Sequence, residues 1–375
     1  MNIIGIICEY NPFHNGHLYH LNKIKELYPN SIIILVMSGN VTQRGDLSII
    51  NKWDKTSIAL NYGINLVVEL PFINATQSAD TFCYSSISIL NYLGVDTIVF
   101  GSESDDINQI TKLAKIQIDN SEYNNKIQEY LKQGLNYPTA LAKSLEDISD
   151  ININTPNDIL AIGYVREIIK NNYNITPVTI KRTNNYNSTE LSGNISSATS
   201  IRENIKLNNN ISNYVPDYSL KYIKKALFLD DYFDLIKYKI ISEINNLEKY
   251  HLVDENIIPR IKKYINKSNT LDELIKNIKT KNYTYSRIKR ILVQILFSIT
   301  DDDINNNQQI KYIRILGFDQ QGKKYLNTIK KDINIPLLTT YDDKYLNIES
   351  RITNILNIKL NNKQEYEYKP IIKED

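Results

Sequence analysis

Four runs of strand length, residues 3–8, 32–37, 66–70 and 97–100, are almost continuously apolar, with Glu69 the one charge among them. A strand that is apolar on both faces belongs in a sheet covered on both sides, so these runs specify a parallel sheet and exclude an open antiparallel one. The intervening segments 18–28, 51–62 and 78–93 are amphipathic and long enough for helices. Strand and helix thus alternate as in an α/β fold. Ligands of such folds bind beyond the carboxyl ends of the strands. The candidate functional loops are therefore 9–17, 38–45, 71–78 and 101–105.

The first of these loops ends in His14-Asn15-Gly16-His17, and three of the four His in the chain fall between positions 14 and 20. Residues three apart on a first helical turn project from one face, beside N–H groups that have no partner within the helix. His14 and His17 are therefore candidate donors to a phosphate. Imidazoles in this position, protonated or simply donating, would neutralise charge on a departing pyrophosphate. The pattern G-x-x-x-x-G-K-[ST], the dinucleotide fingerprint G-x-G-x-x-G and H-E-x-x-H are all absent, so a triphosphate would have to be held by the histidine loop. Downstream, Ser197, Thr199 and Arg202 open another expected helix and form a second potential phosphate site.

The 42 % apolar composition over 375 residues supplies a sizeable core. No apolar run approaches the roughly 18 residues of a membrane span, and no basic segment precedes residues 3–7 as in a signal peptide, so a cytoplasmic location is expected. Cys8 and Cys83 cannot build a disulfide framework and lack zinc-ligand spacing. A helical insertion is expected near 105–150, then a helix from Pro156 and a strand over 176–181. An Asn-rich stretch near 205–218 marks the boundary between a domain of residues 1–210 and a mainly helical one of 211–375. Residues 313–318 and 334–338 read as short strands closing the C-terminal unit against its helices. About 28 Lys and Arg stand against 22 Asp and Glu from residue 216 onward, and 16 against 20 before it. A basic second half fits a polyanionic partner. Within it, the run 279–290 interleaves Lys281, Arg287, Lys289 and Arg290 with Tyr283 and Tyr285, charges for phosphates and rings for bases, although a solvated amphipathic helix has the same look.

Five segments together resemble one family. His14-Asn15-Gly16-His17 with Ser196 to Arg202 is similar to the H-x-G-H nucleotidyltransferase superfamily, whose Rossmann-like fold is shared with class I aminoacyl-tRNA synthetases. Residues 5–17, 37–45, 100–103, 196–202 and 283–288 resemble those of the bacterial tRNA(Met) cytidine acetate ligases, across both halves of the chain. The resemblance implies a Rossmann-like ATP-binding catalytic domain followed by a tRNA-binding one. It implies that ATP activates acetate as acetyl-adenylate, and that the acetyl group passes to the exocyclic amine of the wobble cytidine of elongator tRNA(Met), giving N4-acetylcytidine. Magnesium is expected with the triphosphate; no carboxylate cluster announces a resident metal site, and no membrane partner is expected.

By the same resemblance, ATP contacts come from Ile7, Cys8, Glu9, Tyr10, Asn11, Pro12, Phe13, His14, Asn15, Gly16, His17, Leu18, Tyr19 and His20, and from Gly101, Asn157 and Arg182. Read from the residues alone, Gly101 is also an ordinary turn glycine, Asn157 a helix cap and Arg182 a solvated arginine. Arg44 is a further candidate for phosphate or acetate. Two other functions use the same loops: a nucleotidyltransferase that makes a dinucleotide cofactor from ATP and a mononucleotide, and a non-catalytic ATP- or tRNA-binding module.

Overall fold

The computed structural model describes residues 2–151, 155–182, 195–223 and 226–374. Its first part alternates as the apolar runs dictate: β1 (Ile3–Cys8), α1 (Asn15–Leu27), β2 (Ile32–Ser38), α2 (Lys52–Asn61), β3 (Leu66–Leu70), a short α3 (Phe72–Ala75), α4 (Ala79–Tyr92) and β4 (Thr97–Ser102). Three helices, α5 (Ile107–Asp119), α6 (Ser121–Lys132) and α7 (Tyr137–Ser149), follow β4, before α8 (Pro156–Lys170), β5 (Thr176–Lys181) and α9 (Ala198–Lys206). Helices then dominate: α10 (Asp217–Ile223), α11 (Phe233–Ser242), α12 (Ile258–Tyr264), α13 (Leu271–Ile278), α14 (Tyr285–Leu296) and α15 (Asp301–Asn305). The chain closes with β6 (Ile313–Phe318), α16 (Gln320–Ile329), β7 (Leu337–Leu338), α17 (Asp343–Leu356) and β8 (Ile371–Ile372). No helix among the described residues is long and apolar enough to cross a membrane.

The sheet runs β5-β4-β1-β2-β3-β6-β7, with β8 also paired to β6. The strands from β5 to β3 are mutually parallel. Alternate residues feed opposite faces: Ile34, Val36 and Val68 pack with Ile87, Leu90 and Ile162, whereas Ile33, Leu35 and Val67 pack with Leu21, Ile24 and Ile58. Each such side chain is worth roughly 1.5–3 kcal/mol on burial. Two faces that both need cover explain why the runs are continuous and not alternating.

Two expectations are corrected. The stretch 313–318 is a strand, but it pairs antiparallel with β3 in the main sheet instead of closing the helical unit. Arg314, fully buried, lies in register with Glu69 and donates to Thr340 O at 2.6 Å, while the Glu69 carboxylate pairs with Lys52. The sequence also reads as a helix over 286–299 broken by Asp301, Asp302 and Asp303; Asp303 instead forms a capping box with Thr300 and opens α15. The sequence reads as a helix over 220–227 as well, of which residues 224 and 225 lie outside the described residues.

The helical unit has its own core, in which Ile236, Leu274, Ile288 and Ile291 pack with Val41, Leu47, Phe72 and Ile73. These last four follow the carboxyl ends of β2 and β3. The basic half therefore sits against the rim on which the functional loops converge.

Candidate active site

The carboxyl end of β1 delivers the chain into a tightly held loop. Tyr10 takes a positive φ of 48°, and the Asn11–Pro12 bond is cis. The Asn11 side chain donates to Leu47 O at 3.1 Å and accepts from Ile49 N at 2.9 Å, fastening this loop to the one after β2. Phe13 is fully buried and stacks on Tyr62 at 5.0 Å, with Tyr10 edge-on at 4.8 Å. The loop then enters α1 with His14 as the N-cap.

Both histidines are oriented by their Nδ1 atoms. His14 Nδ1 accepts from Gly16 N at 3.0 Å, and His17 Nδ1 accepts from His14 N at 3.2 Å, a capping box built from two imidazoles. An Nδ1 that accepts carries no proton, so each neutral ring holds its proton on Nε2, the atom away from the helix end. The rings lie 3.9 Å apart, tilted by 33°. Gly16 makes this possible, because a Cβ there would stand 2.8 Å from His14 Cε1.

Burial is the main reason that all three histidines of this stretch resist protonation. It lowers the His14 pKa to about 3, with help from Arg182 and Arg202. It lowers His20 to about 4, with help from Arg182. His17 is held well below the usual range, by burial first and then by His14, Arg182 and His20. Of the two states left open by the sequence, the free protein therefore holds neutral donors in a positive field, ready for a polyanion.

The arginines arrive from two other strand and helix ends. Arg202, on α9, donates to Asn11 O at 2.7 Å and to Thr199 Oγ1 at 3.2 Å. Ser197 is the N-cap of α9 and accepts from Ser200 N at 3.1 Å. This second helix end thus meets the histidine loop through Arg202. Arg182 follows β5, and its stem lies over Gly101: a Cβ at Gly101 would be 3.2 Å from Arg182 Cγ. Asn157 does not cap α8, whose N-cap is Thr155; its amide donates to Glu103 Oε1 at 2.5 Å, and Arg182 Nε stands 3.8 Å from the same oxygen. Glu103 thereby brings Gly101, Asn157 and Arg182 together, a connection that spacing alone does not reveal. Asp158 fixes this loop in turn, accepting from Ser102 Oγ, Glu103 N and Ser104 N.

The remaining candidates divide. Ile7 and Cys8 are half-buried at the end of β1, and burial raises the Cys8 thiol to about 12, which removes it as a nucleophile. Glu9 accepts from Gln43 N at 2.6 Å; burial raises its pKa against the opposing pull of Lys55, Arg44 and Arg202. Pro12 is buried, and Leu18 and Tyr19 are half-buried on α1. Asn15 is tied to the segment before α10, donating to Tyr214 O at 3.0 Å and Asn213 O at 2.8 Å. Of the basic run, Lys281 is exposed and Arg287 pairs with Asp254 at 3.1 Å. Lys289 instead pairs with Asp46, and Arg290 donates to Gln43 O at 3.4 Å, so both face the loop after β2. A cavity of about 350 Å³ lies elsewhere, between the start of α2 and the end of α17, lined by Asn51, Asp54, Lys221, Tyr222 and Leu356.

Residues 1–370 match the family described as HIGH Nucleotidyl Transferase. The tRNA(Met) cytidine acetate ligase of Caldicellulosiruptor saccharolyticus is 40% identical, over 89% of this chain and 86% of that protein. That of Clostridium perfringens is 40% identical, over 99% of this chain and 100% of that protein. The chain belongs to the tRNA(Met) cytidine acetate ligase family. A member of this family from Thermotoga maritima, TmcAL in its apo form, superposes with a TM-score of 0.93 at 28% identity, covering all of both chains. The same enzyme bound with alpha-thio ATP gives 0.91, again at 28% identity and full coverage. The family therefore shares the mostly parallel sheet together with the helical C-terminal region, and one of its members holds an ATP analogue.

Proposed function

We propose that this protein is an ATP-dependent tRNA(Met) cytidine acetate ligase. The observation that carries the reading is the pair of neutral imidazoles at the α1 N-terminus, both with Nε2–H available, flanked by Arg182 and Arg202. In the first step an acetate oxygen attacks the α-phosphorus of ATP, the bond to the bridging oxygen breaks, and pyrophosphate leaves. Donation from His14 and His17 stabilises the charge that collects on the departing group, a contribution of about 10²- to 10⁴-fold for positioned acids. In this reading Gly101, Asn157 and Arg182 hold the nucleoside side, and Ser197, Thr199 and Arg202 the phosphates. Arg44 stands near Glu9 and is assigned to the anionic substrates.

In the second step the exocyclic amine of the wobble cytidine of elongator tRNA(Met) attacks the acetyl carbon, loses a proton, and displaces AMP. No protein nucleophile is needed, in keeping with the inert Cys8. Magnesium enters as part of the triphosphate substrate. Among the described residues no group of three His, Cys, Asp or Glu side chains is arranged to hold a resident ion, and no step above depends on one. Incubation with ATP, acetate and unmodified tRNA(Met), followed by mass spectrometry of the nucleosides, should yield N4-acetylcytidine. Folded protein that forms none, or that couples ATP to a mononucleotide instead, would refute the reading.

A further inference from the structure

Lys55 belongs to α2, outside the histidine loop, yet its ammonium reaches the carboxyl ends of two strands at once. Nζ donates to Ser38 O and Gly39 O at 2.8 Å, to Glu9 O at 2.9 Å and to Ser48 Oγ at 3.0 Å. Ser48 Oγ in turn donates to Gly39 O at 3.2 Å. The side chain is 1% exposed, so none of these bonds can be taken over by bulk water. Three backbone carbonyls from two loops converge on this one amino group, whose pKa burial lowers to about 7.

The acceptors matter more than the donor. Glu9 O is the last anchor of the chain before Tyr10 turns it toward His14, and the Glu9 carboxylate holds Gln43 N. Ser38 and Gly39 start the loop whose Leu47 and Ile49 grip the Asn11 side chain. Asn11 O in turn accepts from Arg202. The clamp at Lys55 therefore fixes, through two loops, where the imidazoles and Arg202 stand relative to each other. None of its four acceptors lies in α2, although a lysine serving only that helix would bond within it.

Resting on the ligase reading, we infer that Lys55 is a positioning residue for adenylate formation: it holds the β1 and β2 exit loops in one register and so sets the His14 and His17 donors against the α-phosphate. Displacement of a catalytic group by about 1 Å can cost about 10²-fold in rate. In acetate-dependent ATP–pyrophosphate exchange at saturating ATP, Lys55→Met should lower kcat by about that factor. The KM for acetate should stay within about threefold, because Lys55 touches no substrate. Lys55→Arg, which keeps the charge and the donors, should recover most of kcat.

Circular dichroism and thermal melts accompany each variant. If Lys55→Met does not fold, Lys55→Gln, with two N–H donors, carries the test. Wild-type kcat in a folded variant, a loss confined to KM, or failure of both variants to fold overturns the inference. A wild-type protein silent in the exchange assay refutes the ligase reading instead. Lys55 is then judged by the ¹⁵N resonances of His14 and His17, which shift in Lys55→Met if the clamp sets them and stay in place if it does not.

Discussion

His14 has two jobs that one substitution can separate. Its Nδ1 caps α1, which leaves the proton on Nε2, the donor assigned above to the departing pyrophosphate. Asparagine is a strong N-cap that lacks the distal donor, so His14→Asn should keep stability within about 1 kcal/mol while lowering pyrophosphate exchange by about 10²-fold or more. Exchange at the wild-type rate would remove His14 from the chemistry. The depressed histidine pKa values also have a thermodynamic signature. His20 titrates at about 4 when folded, and its Nε2 is buried without a partner, against 6.5 for the free side chain. Below pH 6.5 the unfolded chain binds the extra proton, so this contribution to stability is complete above 6.5 and erodes as the pH falls toward 4. His20→Gln cannot take up that proton. Its urea-unfolding free energy should fall less between pH 7 and pH 5 than that of the wild type, by about 2 kcal/mol; equal losses would show that His20 does not resist protonation.

At the scale of elements, the decisive contact is between α14 and the loop after β2. Gly45, at φ 82°, lies so close to α14 that a Cβ would stand 2.6 Å from Arg290 N. Gln43 joins the two sides, giving its N–H to Glu9 and its carbonyl to Arg290. Within the basic run Arg290 is thereby tied to this loop, whereas Lys281 is exposed. Replacing Lys281 and Arg287 by Gln should weaken tRNA binding and flatten its salt dependence, by a slope of about 0.7–0.9 for each phosphate no longer neutralised, while sparing pyrophosphate exchange. Arg290→Met should instead impair exchange as well, because it disturbs the loop that holds Glu9. Measuring both assays on both variants tests the division, which collapses if the two behave alike. Sequence reasoning located α14 and its charges, since amphipathic periodicity and residue type are local. It did not separate Lys281 from Arg290, because the difference is a partner about 250 positions away, Gln43. The same limit explains Lys55: an apolar helix face is legible in sequence, but the carbonyls of Glu9, Ser38 and Gly39 meet at it only in three dimensions. The histidine loop was legible because strand, tetrad and helix are contiguous.

For the whole molecule, the buried charges show how the last segment is bound to the first. Lys52, 0% exposed, sits 2.8 Å from Glu69 on β3, 2.9 Å from Glu365 and 3.8 Å from Glu349 on α17. Glu349 also accepts from Phe72 N at 2.7 Å. Burial pushes Glu69 up to about 8 against the pull of Lys52, so the cation is what allows three carboxylates to share one apolar interior. Removing one partner of such a cluster leaves uncompensated buried charge, at a cost of about 3–5 kcal/mol. Lys52→Met should show that loss in chemical denaturation, and a change below about 1 kcal/mol would mean that the carboxylates find other compensation. The same geometry governs dissection of the chain. β6 covers the edge of β3, so a fragment of residues 1–210 keeps an apolar strand edge without its cover, and Lys52 loses Glu349 and Glu365. Expressed alone, that fragment should aggregate or lack the dispersed amide spectrum of a packed sheet. A stable, cooperatively melting fragment would show instead that the sheet is complete without β6, and that the C-terminal strands dock on a unit already folded.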